Sequence, residues 1–468
     1  MATADPAVFE YYRDPHVRAR LLEYAGAAAG GPSTAAFVTG LNPSEQPHPT
    51  WHQSRRVPPD ELDTLCGRGC DVARSLWDRR ALIFVLDLDY QNIDCPGEPF
   101  THASDVFFKL ESVLDAIHAV LADFGLPVLT LATGRGYHVV GRIPLDDAVV
   151  PALANLAAVP SWYQDYERRR PAGIDLTMSD EQARAAAGLT LLLEYLAETV
   201  LRRVAGRSLI PVVLNGTTVG SGLVGRECIS IDFSHGGDPL DVRSIRMAFS
   251  AYQWHRARPD IFGAAVAARP ALAAVPRRDI PLTTFLIGGR DLPAAAGLAR
   301  DLTVALPNVA AGVGRMLSDY RGSRLSRFHA EFAAECQADE AAPPVPAALA
   351  PCLVRPLQQP NDLLLRPEYI QNLVRGLLAE GWRASQIAAL VYGEYAHPHG
   401  WHDRWTELDA RTRAEFDVRV FAGLVVTGVD ELVDFNCRSL QDKWICPWVA
   451  CRHDLREDRD RLRARYPS

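Results

Sequence analysis

The chain has 468 residues, of which 48% are hydrophobic and 23% are charged, and its formal net charge is −8 at pH 7. This composition is typical of a globular protein and excludes disordered, collagen-like and fibrous chains. No apolar run approaches the ~18 residues of a membrane-spanning helix, and residues 1–10 lack the pattern of a secretory signal. We therefore expect a cytoplasmic protein with no membrane partner, whose nucleic-acid site, if it has one, is built locally from arginines or metal ions.

The first half of the chain alternates predicted strands and helices. Residues 81–88 (ALIFVLDL) form an apolar run that suits a buried strand, and residues 104–124 carry apolar side chains at helical spacing. Strands are predicted at 128–132 and 138–143, with a glycine-rich turn between them. A long helix is predicted after Ser179, because Gln182 lies three residues on and completes a capping box. Strands at 209–214 and 228–233 follow.

The rest of the chain is predicted to be mainly helical. Residues 256–335 are Ala-rich with helical spacing, and residues 337–351 are rich in Pro and Ala without periodicity, which is typical of a linker. Further helices are predicted from Pro367, from a Ser385 cap, and over residues 411–426. We therefore predict an α+β (α/β) domain at 1–290, a helical connector at 291–336, a linker at 337–351 and a helical domain at 352–468.

Two acidic residues at the end of the first strand are the first candidates for chemistry. Asp87 and Asp89 are two residues apart, so on a strand they point to the same face. Their carboxylates repel each other unless a cation lies between them, and oxygen ligands suit Mg²⁺ or Mn²⁺. The alternative is that both residues only cap a strand end.

A glycine-rich turn and a later strand provide two further elements. Residues 133–138 (TGRGYH) lie between two strands, where backbone amides, Arg135 and His138 could hold a phosphate; a plain β-turn with a packed histidine is the alternative. Asp232 follows an apolar strand and could be a third carboxylate. The cationic candidates behind it are Arg243, Arg246 and His255, with surface arginines and a partly buried histidine as the alternative.

In their order along the chain, these elements resemble the motifs of the archaeo-eukaryotic primase superfamily. FVLDLDY, TGRGYHVV, ISIDF and IRMAFSAYQWH stand in the places of that family's acidic, SxH, hydrophobic-Asp and IRxPxSxH motifs. The resemblance covers about residues 18–290, and Thr133 and Ala248 depart from the family pattern without removing a charge.

The resemblance implies a role for each site residue. Asp87, Asp89 and Asp232 would hold two divalent ions for nucleotidyl transfer, and His138 would contact the nucleotide. Asp165, Asp175 and Asp238 are acids that could be confused with the third ligand. The implied nucleotide-binding residues are Thr133, Gly134, Arg135, Gly136, His138, Arg243 and Arg246.

Four late cysteines form another candidate site: Cys352, Cys437, Cys446 and Cys451. Four thiolates can hold one [4Fe–4S] cluster or one Zn²⁺, and plain buried thiols are the third possibility. Their dispersed order resembles the iron–sulfur domain of the primase large subunit, which implies an iron–sulfur cluster with zinc as the alternative. An earlier group, Cys66, Cys70 and Cys95 with His48 and His52, is a weaker zinc candidate, and buried thiols are the favoured interpretation.

The sequence thus predicts a single-chain DNA primase or primase-polymerase that needs Mg²⁺ or Mn²⁺. Its partners would be single-stranded DNA template and nucleoside triphosphates, with a helicase or other replication proteins as further candidates. A catalytically silent nucleic-acid-binding protein of the same fold, or another metal-dependent nucleotidyltransferase or nuclease, are the alternative functions.

Overall fold

The computed structural model describes residues 5–27, 31–42, 55–163, 177–220, 226–237, 244–288, 290–338, 342–397, 399, 409–446 and 451–467. Within these ranges the protein combines β-sheets in its first part with helices alone in its last part, which confirms the predicted α+β class. Arg243, His48 and His52 lie outside the described residues. The acids Asp165, Asp175 and Asp238 also lie outside them.

A six-stranded sheet in the order β12-β5-β6-β4-β8-β7 forms the centre of the first part. Neighbouring strands are antiparallel except for β7 and β8, which are parallel. Its strands are β4 (Ala81–Asn92), β5 (Leu129–Ala132), β6 (Gly136–Pro144), β7 (Val212–Leu214), β8 (Glu227–Asp232) and β12 (Val275–Pro276).

The long strand β4 has two different faces in its second half. Leu86, Leu88 and Tyr90 are buried, whereas Asp87 and Asp89 on the opposite face are partly exposed. This alternation follows from the two-residue period of a strand. It places Asp87 and Asp89 together on the partly exposed face of the sheet.

A second sheet and a short strand pair complete the β-structure. The second sheet has the order β2-β1-β3-β9, and β10 pairs with β11. The strands are β1 (Val38–Leu41), β2 (Arg55–Val57), β3 (Asp71–Ser75), β9 (Ser244–Arg246), β10 (Ala251–Tyr252) and β11 (Leu272–Ala273).

Two long helices pack against each other and against β4. They are α5 (Ala103–Asp123) and α7 (Asp180–Val204), and α7 begins with the predicted capping box between Ser179 and Gln182. The other helices of this part are α1 (Pro6–Arg13), α2 (Pro15–Tyr24), α3 (Leu62–Cys66), α4 (Glu98–Thr101), α6 (Val149–Ala154), α8 (Trp254–Ala257), α9 (Pro259–Phe262), α10 (Ala264–Ala267), α11 (Leu282–Gly288), α12 (Leu292–Asp301), α13 (Ala310–Arg321) and α14 (Arg324–Gln337).

The described residues after position 342 contain helices and no strands, as predicted. These helices are α15 (Pro351–Gln358), α16 (Pro360–Leu363), α17 (Pro367–Ala379), α18 (Ala384–Ala396), α19 (Ala410–Val426), α20 (Cys437–Asp442) and α21 (Leu455–Arg465).

Two local predictions were wrong. The N-cap of α18 is Arg383, not Ser385, and the Ser385 hydroxyl instead donates to Glu335 at 2.6 Å. The strand predicted over 209–214 is limited to Val212–Leu214, because the Ser208 hydroxyl donates to the Ile210 carbonyl at 2.7 Å and stabilises a bend there.

A continuous apolar core joins the two parts of the protein, from Val8 in α1 to Leu462 in α21. Two aromatic rings join the parts near the end of β8: Phe416 of α19 packs on Phe233, directly after β8, with ring centroids 6.0 Å apart. No described helix is both long and apolar enough to cross a membrane.

Candidate functional site

Three of the predicted site residues meet at one position of the central sheet. In the ladder, Asp87 of β4 lies opposite His138 of β6 on one side and opposite Asp232 of β8 on the other. Directly opposite residues of antiparallel strands point to the same face. The structure therefore brings the acidic, glycine-rich and hydrophobic-Asp motifs into one row, which we call the carboxylate row (Asp87, His138 and Asp232).

His138 is the basic side chain of this row, and it is 8% exposed. Its Nε2 lies 3.5 Å from Asp87 Oδ1. Burial and the neighbouring Arg246 charge lower the pKa of His138 to about 3. The ring is therefore neutral at pH 7 and offers Asp87 hydrogen-bonding capacity but no positive charge.

Asp89 lies two residues further along β4 and faces the turn of the glycine-rich motif. Arg135 Nη2 is 2.5 Å from Asp89 Oδ2, and this carboxylate raises the pKa of the Arg135 guanidinium. In this structure Arg135 thus neutralises Asp89.

Both glycines of the turn are required by packing. A Cβ on Gly134 would lie 2.2 Å from the Tyr252 ring, and one on Gly136 would lie 1.8 Å from the Leu88 carbonyl oxygen. The Thr133 amide also donates to the Gly136 carbonyl at 2.8 Å, which closes the turn. The two glycines therefore let the turn approach β4 and Tyr252 closely, and a phosphate-binding role for its amides stays a prediction.

Arg246 is held in a buried network rather than on the surface. Its Nη1 donates to Asp71 Oδ2 at 2.9 Å and to the Ala251 carbonyl at 2.6 Å, and Gln253 completes the shell of Asp71. Burial raises the pKa of the Asp71 carboxyl, and the Arg246 charge opposes that shift. No sequence motif marks Asp71; only the pairing of β3 with β9 reveals it.

His255, the other cationic candidate behind Asp232, is also buried. It stacks on Phe100 with ring centroids 4.6 Å apart, and its Nε2 lies 3.3 Å from the Arg269 carbonyl oxygen. Burial lowers its pKa to about 4. His255 therefore supplies no charge at neutral pH.

Sequence reasoning missed a buried cation beside the glycine-rich turn. Arg290 is 3% exposed, donates to the Thr133 carbonyl, and lies over the Phe107 ring at 4.7 Å. Burial lowers the pKa of Arg290 to about 10. Its place at the end of the first part shows no pattern in the sequence, so only the packing reveals it.

The turn after β8 fixes Asp232 against two helices. Ser234 donates to Asp232 Oδ1 from its amide at 2.7 Å and from its hydroxyl at 2.5 Å. The same 3₁₀ turn, Ser234–Gly237, is held between α7 and α19: a Cβ on Gly236 would lie 2.3 Å from Thr190, and one on Gly237 would lie 2.4 Å from Phe416. The last part of the chain thus contacts the segment that carries Asp232.

The donor set of the row suits a hard divalent cation. Opposed carboxylates destabilise strand pairing unless a cation lies between them, and Asp87 and Asp232 are opposed. Carboxylate oxygens are the ligands that Mg²⁺ and Mn²⁺ prefer. In the described ranges, however, no three His, Cys, Asp or Glu side chains are already arranged around a metal position.

The four late cysteines are gathered at one end of the helical part. Burial raises the pKa of Cys352 to about 12, and the nearby thiols of Cys446, Cys437 and Cys451 add to that shift. His453 lies between two of them: the Cys437 thiol is 3.9 Å from its carbonyl oxygen, and its amide donates to Cys451 Sγ at 3.3 Å. Four thiols from distant parts of the chain therefore share one neighbourhood, and a metal bound through their sulfur atoms stays a prediction.

The early cysteines are placed differently. Cys66 and Cys70 are each 2% exposed within the apolar core, whereas Cys95 is exposed. Burial raises the pKa of the Cys66 thiol to about 12. The three early thiols therefore do not share one environment.

Comparisons with known proteins provide little further information. No family model matches the chain, and no curated protein matches it. A solved structure that it resembles is the polymerase domain of Mycobacterium tuberculosis Ligase D in complex with DNA, at 14% identity and a TM-score of 0.30, over 69% of this chain and 91% of that one. At that identity and TM-score the similarity is too weak to assign a fold or an activity.

Proposed function

We propose that the protein is a primase or primase-polymerase that joins nucleotides on a single-stranded DNA template. The observation that supports this best is the carboxylate row, in which two acids and a histidine from three separate motifs occupy one ladder position. Metal-dependent nucleotidyl transfer needs such acids at fixed separation, and a sheet ladder provides it. We propose primer synthesis rather than another metal-dependent reaction because the order of the motifs along the chain resembles that of the primase superfamily.

The residues of the carboxylate row and their neighbours Asp89 and Arg135 would have different roles. Asp87, Asp232 and Asp89 would hold divalent ions, which when bound supply activation of the attacking hydroxyl and neutralisation of the triphosphate. Neutral His138 would hydrogen-bond the nucleotide. Arg135, at the edge of the row, would pair with the triphosphate when Asp89 binds metal.

The cysteine group would have a structural role. Cys352, Cys437, Cys446 and Cys451 would hold a [4Fe–4S] cluster, with Zn²⁺ as the alternative, and close the helical part around it. Because metal binding to such a group is coupled to folding, this part would be fully ordered only when metal is bound. It would then help to hold template and the first nucleotide, and a helicase or other replication protein would be a further partner.

A primer-synthesis assay tests the proposal directly. Full-length protein is incubated with labelled ribo- or deoxynucleotides, single-stranded template, and Mg²⁺ or Mn²⁺. We expect products that need template, and we expect Asp87→Ala to reduce synthesis at least about 1000-fold, as for loss of a metal ligand. Gln91→Ala is the matched control, since Gln91 lies on the same strand and face beyond Asp89.

Three outcomes would contradict the proposal. If Asp87→Ala synthesises primers at the wild-type rate, the carboxylate row is not the active site. Binding of single-stranded DNA without synthesis under all conditions would indicate a catalytically silent binding protein. Template-independent transfer or cleavage of DNA would indicate another nucleotidyltransferase or a nuclease.

The His138 role has its own test. His138→Ala should raise the nucleotide KM or lower kcat about 10- to 100-fold, while the affinity for single-stranded DNA stays unchanged. His138→Asn, which keeps a hydrogen-bonding group, should restore part of the loss. An equal loss of DNA affinity would show that His138 packs the sheet instead.

A further inference from the structure

A cavity of about 730 Å³ lies away from the carboxylate row, where the sheet meets the later helices. Its wall is formed by the start of β4, by residues 155–162, and by parts of α7, α14 and α19. The volume falls within the ~300–1,000 Å³ that is usual for small-molecule sites. Neither the predicted motifs nor the proposed chemistry uses this space.

Part of the cavity wall is aromatic and aliphatic. The rings of Trp77 and Trp162 lie with their centroids 5.4 Å apart at an angle of 49°, and Phe332 and Met178 extend the same wall. Aromatic rings at a cavity wall favour an aromatic, planar ligand, because offset and edge contacts between aromatic rings stabilise it beyond burial alone.

The charged groups of the described wall already have counter-charges. Asp78 Oδ2 lies 2.6 Å from Arg74 Nη2, and Arg411 Nη1 lies 3.8 Å from Glu415 Oε1. Arg419 Nε lies 3.0 and 3.2 Å from the two oxygens of buried Glu194. These pairs include all four Asp, Glu and Arg side chains of the described wall. A charged ligand would therefore lose its hydration without gaining an unpaired counter-ion from these four groups.

The wall also has polar groups that could orient a ligand, among them His329, whose Nε2 lies 3.0 Å from Glu194 Oε2. Tyr320 and His329 are joined by a 2.9 Å contact between the phenol oxygen and Nδ1, and Ser326 and Gln182 also reach the wall. Small-molecule sites are mainly apolar with a few such polar groups. The wall chemistry therefore selects a planar molecule without net charge.

We propose that this cavity binds an uncharged, planar, mainly apolar small molecule, and that the ligand acts as an effector of the carboxylate row. The effector part rests on the proposed function. The path is short: His235 and Gly236 line the cavity, and they belong to the turn in which Ser234 bonds Asp232. A ligand against this turn contacts the segment that sets the position of that carboxylate.

The binding part is tested with the whole chain and N-phenyl-1-naphthylamine, an uncharged dye with a planar naphthalene ring system whose emission rises on burial. We expect saturable binding with energy transfer from tryptophan. Ala187→Phe on α7 and Ala333→Phe on α14 each place a ring in the cavity and should weaken binding at least tenfold. Ala396→Phe, at an exposed position of α18 outside the cavity, is the control and should bind as wild type does.

A charged dye of similar shape tests the ligand class. 1-Anilinonaphthalene-8-sulfonate carries one sulfonate and should bind at least tenfold more weakly than the uncharged dye. Equal or tighter binding of the sulfonate would overturn the uncharged class. If Ala187→Phe and Ala333→Phe both bind N-phenyl-1-naphthylamine as wild type does, the cavity is not the binding site. Two variants are used so that the test still works if one of them fails to fold.

The effector part is tested by nucleotide addition with and without saturating dye. We expect the wild-type rate to change at least threefold and the Ala187→Phe rate to stay constant. An unchanged wild-type rate would overturn the effector role. If wild type shows no nucleotide addition at all, the proposed function fails, while the fluorescence titration still decides whether the cavity binds.

Discussion

The carboxylate row and the cysteine group are both predicted from sequence, yet the fold builds them in different ways. The row is carried by three neighbouring strands, so the ladder fixes which residues lie opposite one another. The cysteines come from the first turn of α15, the start of α20, and the segments after α20 and before α21. Their approach depends on how several helices pack.

This difference indicates where each site is vulnerable. Backbone hydrogen bonds along β4 hold the row whether or not a metal is bound. The cysteine group depends instead on how the helices pack, and the buried ion network of Arg375, Asp430, Asp434 and Lys443 joins α17 to the chain on both sides of Cys437. We therefore expect substitutions near the cysteines to affect folding, and substitutions in the row to affect chemistry.

The largest expected effect is on the cysteine group. Cys437→Ser should remove bound iron and sulfide, or zinc, from protein purified without oxygen, and should destabilise the helical part by about 4 kcal/mol or more, as for loss of a structural metal. Metal analysis and thermal unfolding measure both. Extension of an existing primer should survive better than initiation.

Cys95→Ser is the matched control, because Cys95 is exposed and lies outside the group. It should leave metal content and stability unchanged. If the wild-type protein contains neither iron nor zinc, the four late cysteines are ordinary thiols.

The buried ion network should have the next largest effect. Asp434→Asn leaves the side chain of Lys443 buried beside a neutral amide, and breaking such a pair costs about 3–5 kcal/mol. Urea unfolding measures this loss. Asp454→Asn, which removes the charge of an exposed partner of Arg456, should leave stability nearly unchanged, because solvent screens exposed ion pairs. An equal effect of the two substitutions would contradict a structural role for the network.

The same network predicts a pH dependence. Burial alone would raise the pKa of Asp434, but the charges of Arg375 and Lys443 overcome it and hold the pKa well below its usual range. A lowered folded-state pKa contributes stability above the unfolded value of about 3.9, and that stability is lost as pH falls below it. Wild type should therefore lose more stability than Asp434→Asn between about pH 5 and pH 2.

The contact between the two regions should give a smaller effect. Gly237→Ala places a Cβ 2.4 Å from Phe416 and must displace the turn that bonds Asp232. We expect a loss of about 1–3 kcal/mol, as for overpacking, and about a tenfold lower rate of nucleotide addition. A higher Mn²⁺ requirement should accompany it, which lost stability alone would not produce.

Gly297→Ala is the control for this contact, since nothing lies within 4 Å of its Cβ position in α12. That change should stabilise the protein by about 0.5–1 kcal/mol and leave the Mn²⁺ requirement unchanged. If Gly237→Ala needs no more Mn²⁺ than wild type does, α19 does not position Asp232.

The smallest effect concerns the row without metal. Asp87→Asn removes one of two opposed carboxylates, and like charges opposite each other cost about 0.2–1 kcal/mol. In EDTA the variant should therefore be more stable than wild type by about that amount, and saturating Mn²⁺ should reverse the order. A variant less stable than wild type in EDTA would indicate that Asp87 has a structural partner.

The sequence by itself determined the local features of both regions. A short apolar run predicted β4, helical spacing predicted α5, and the capping box predicted the start of α7, because each depends on residues close together in the chain. It also placed Asp87 and Asp89 on one strand face. The cysteines were identified by residue type and order alone.

The tertiary structure decided what depends on distant partners. Strand order put His138 and Asp232 beside Asp87, and the second sheet paired Arg246 with Asp71. The packing of α19 on the turn after β8 is equally invisible in the sequence. Pairing between strands and contacts between helices are set by the burial of the whole core, so no local pattern records them.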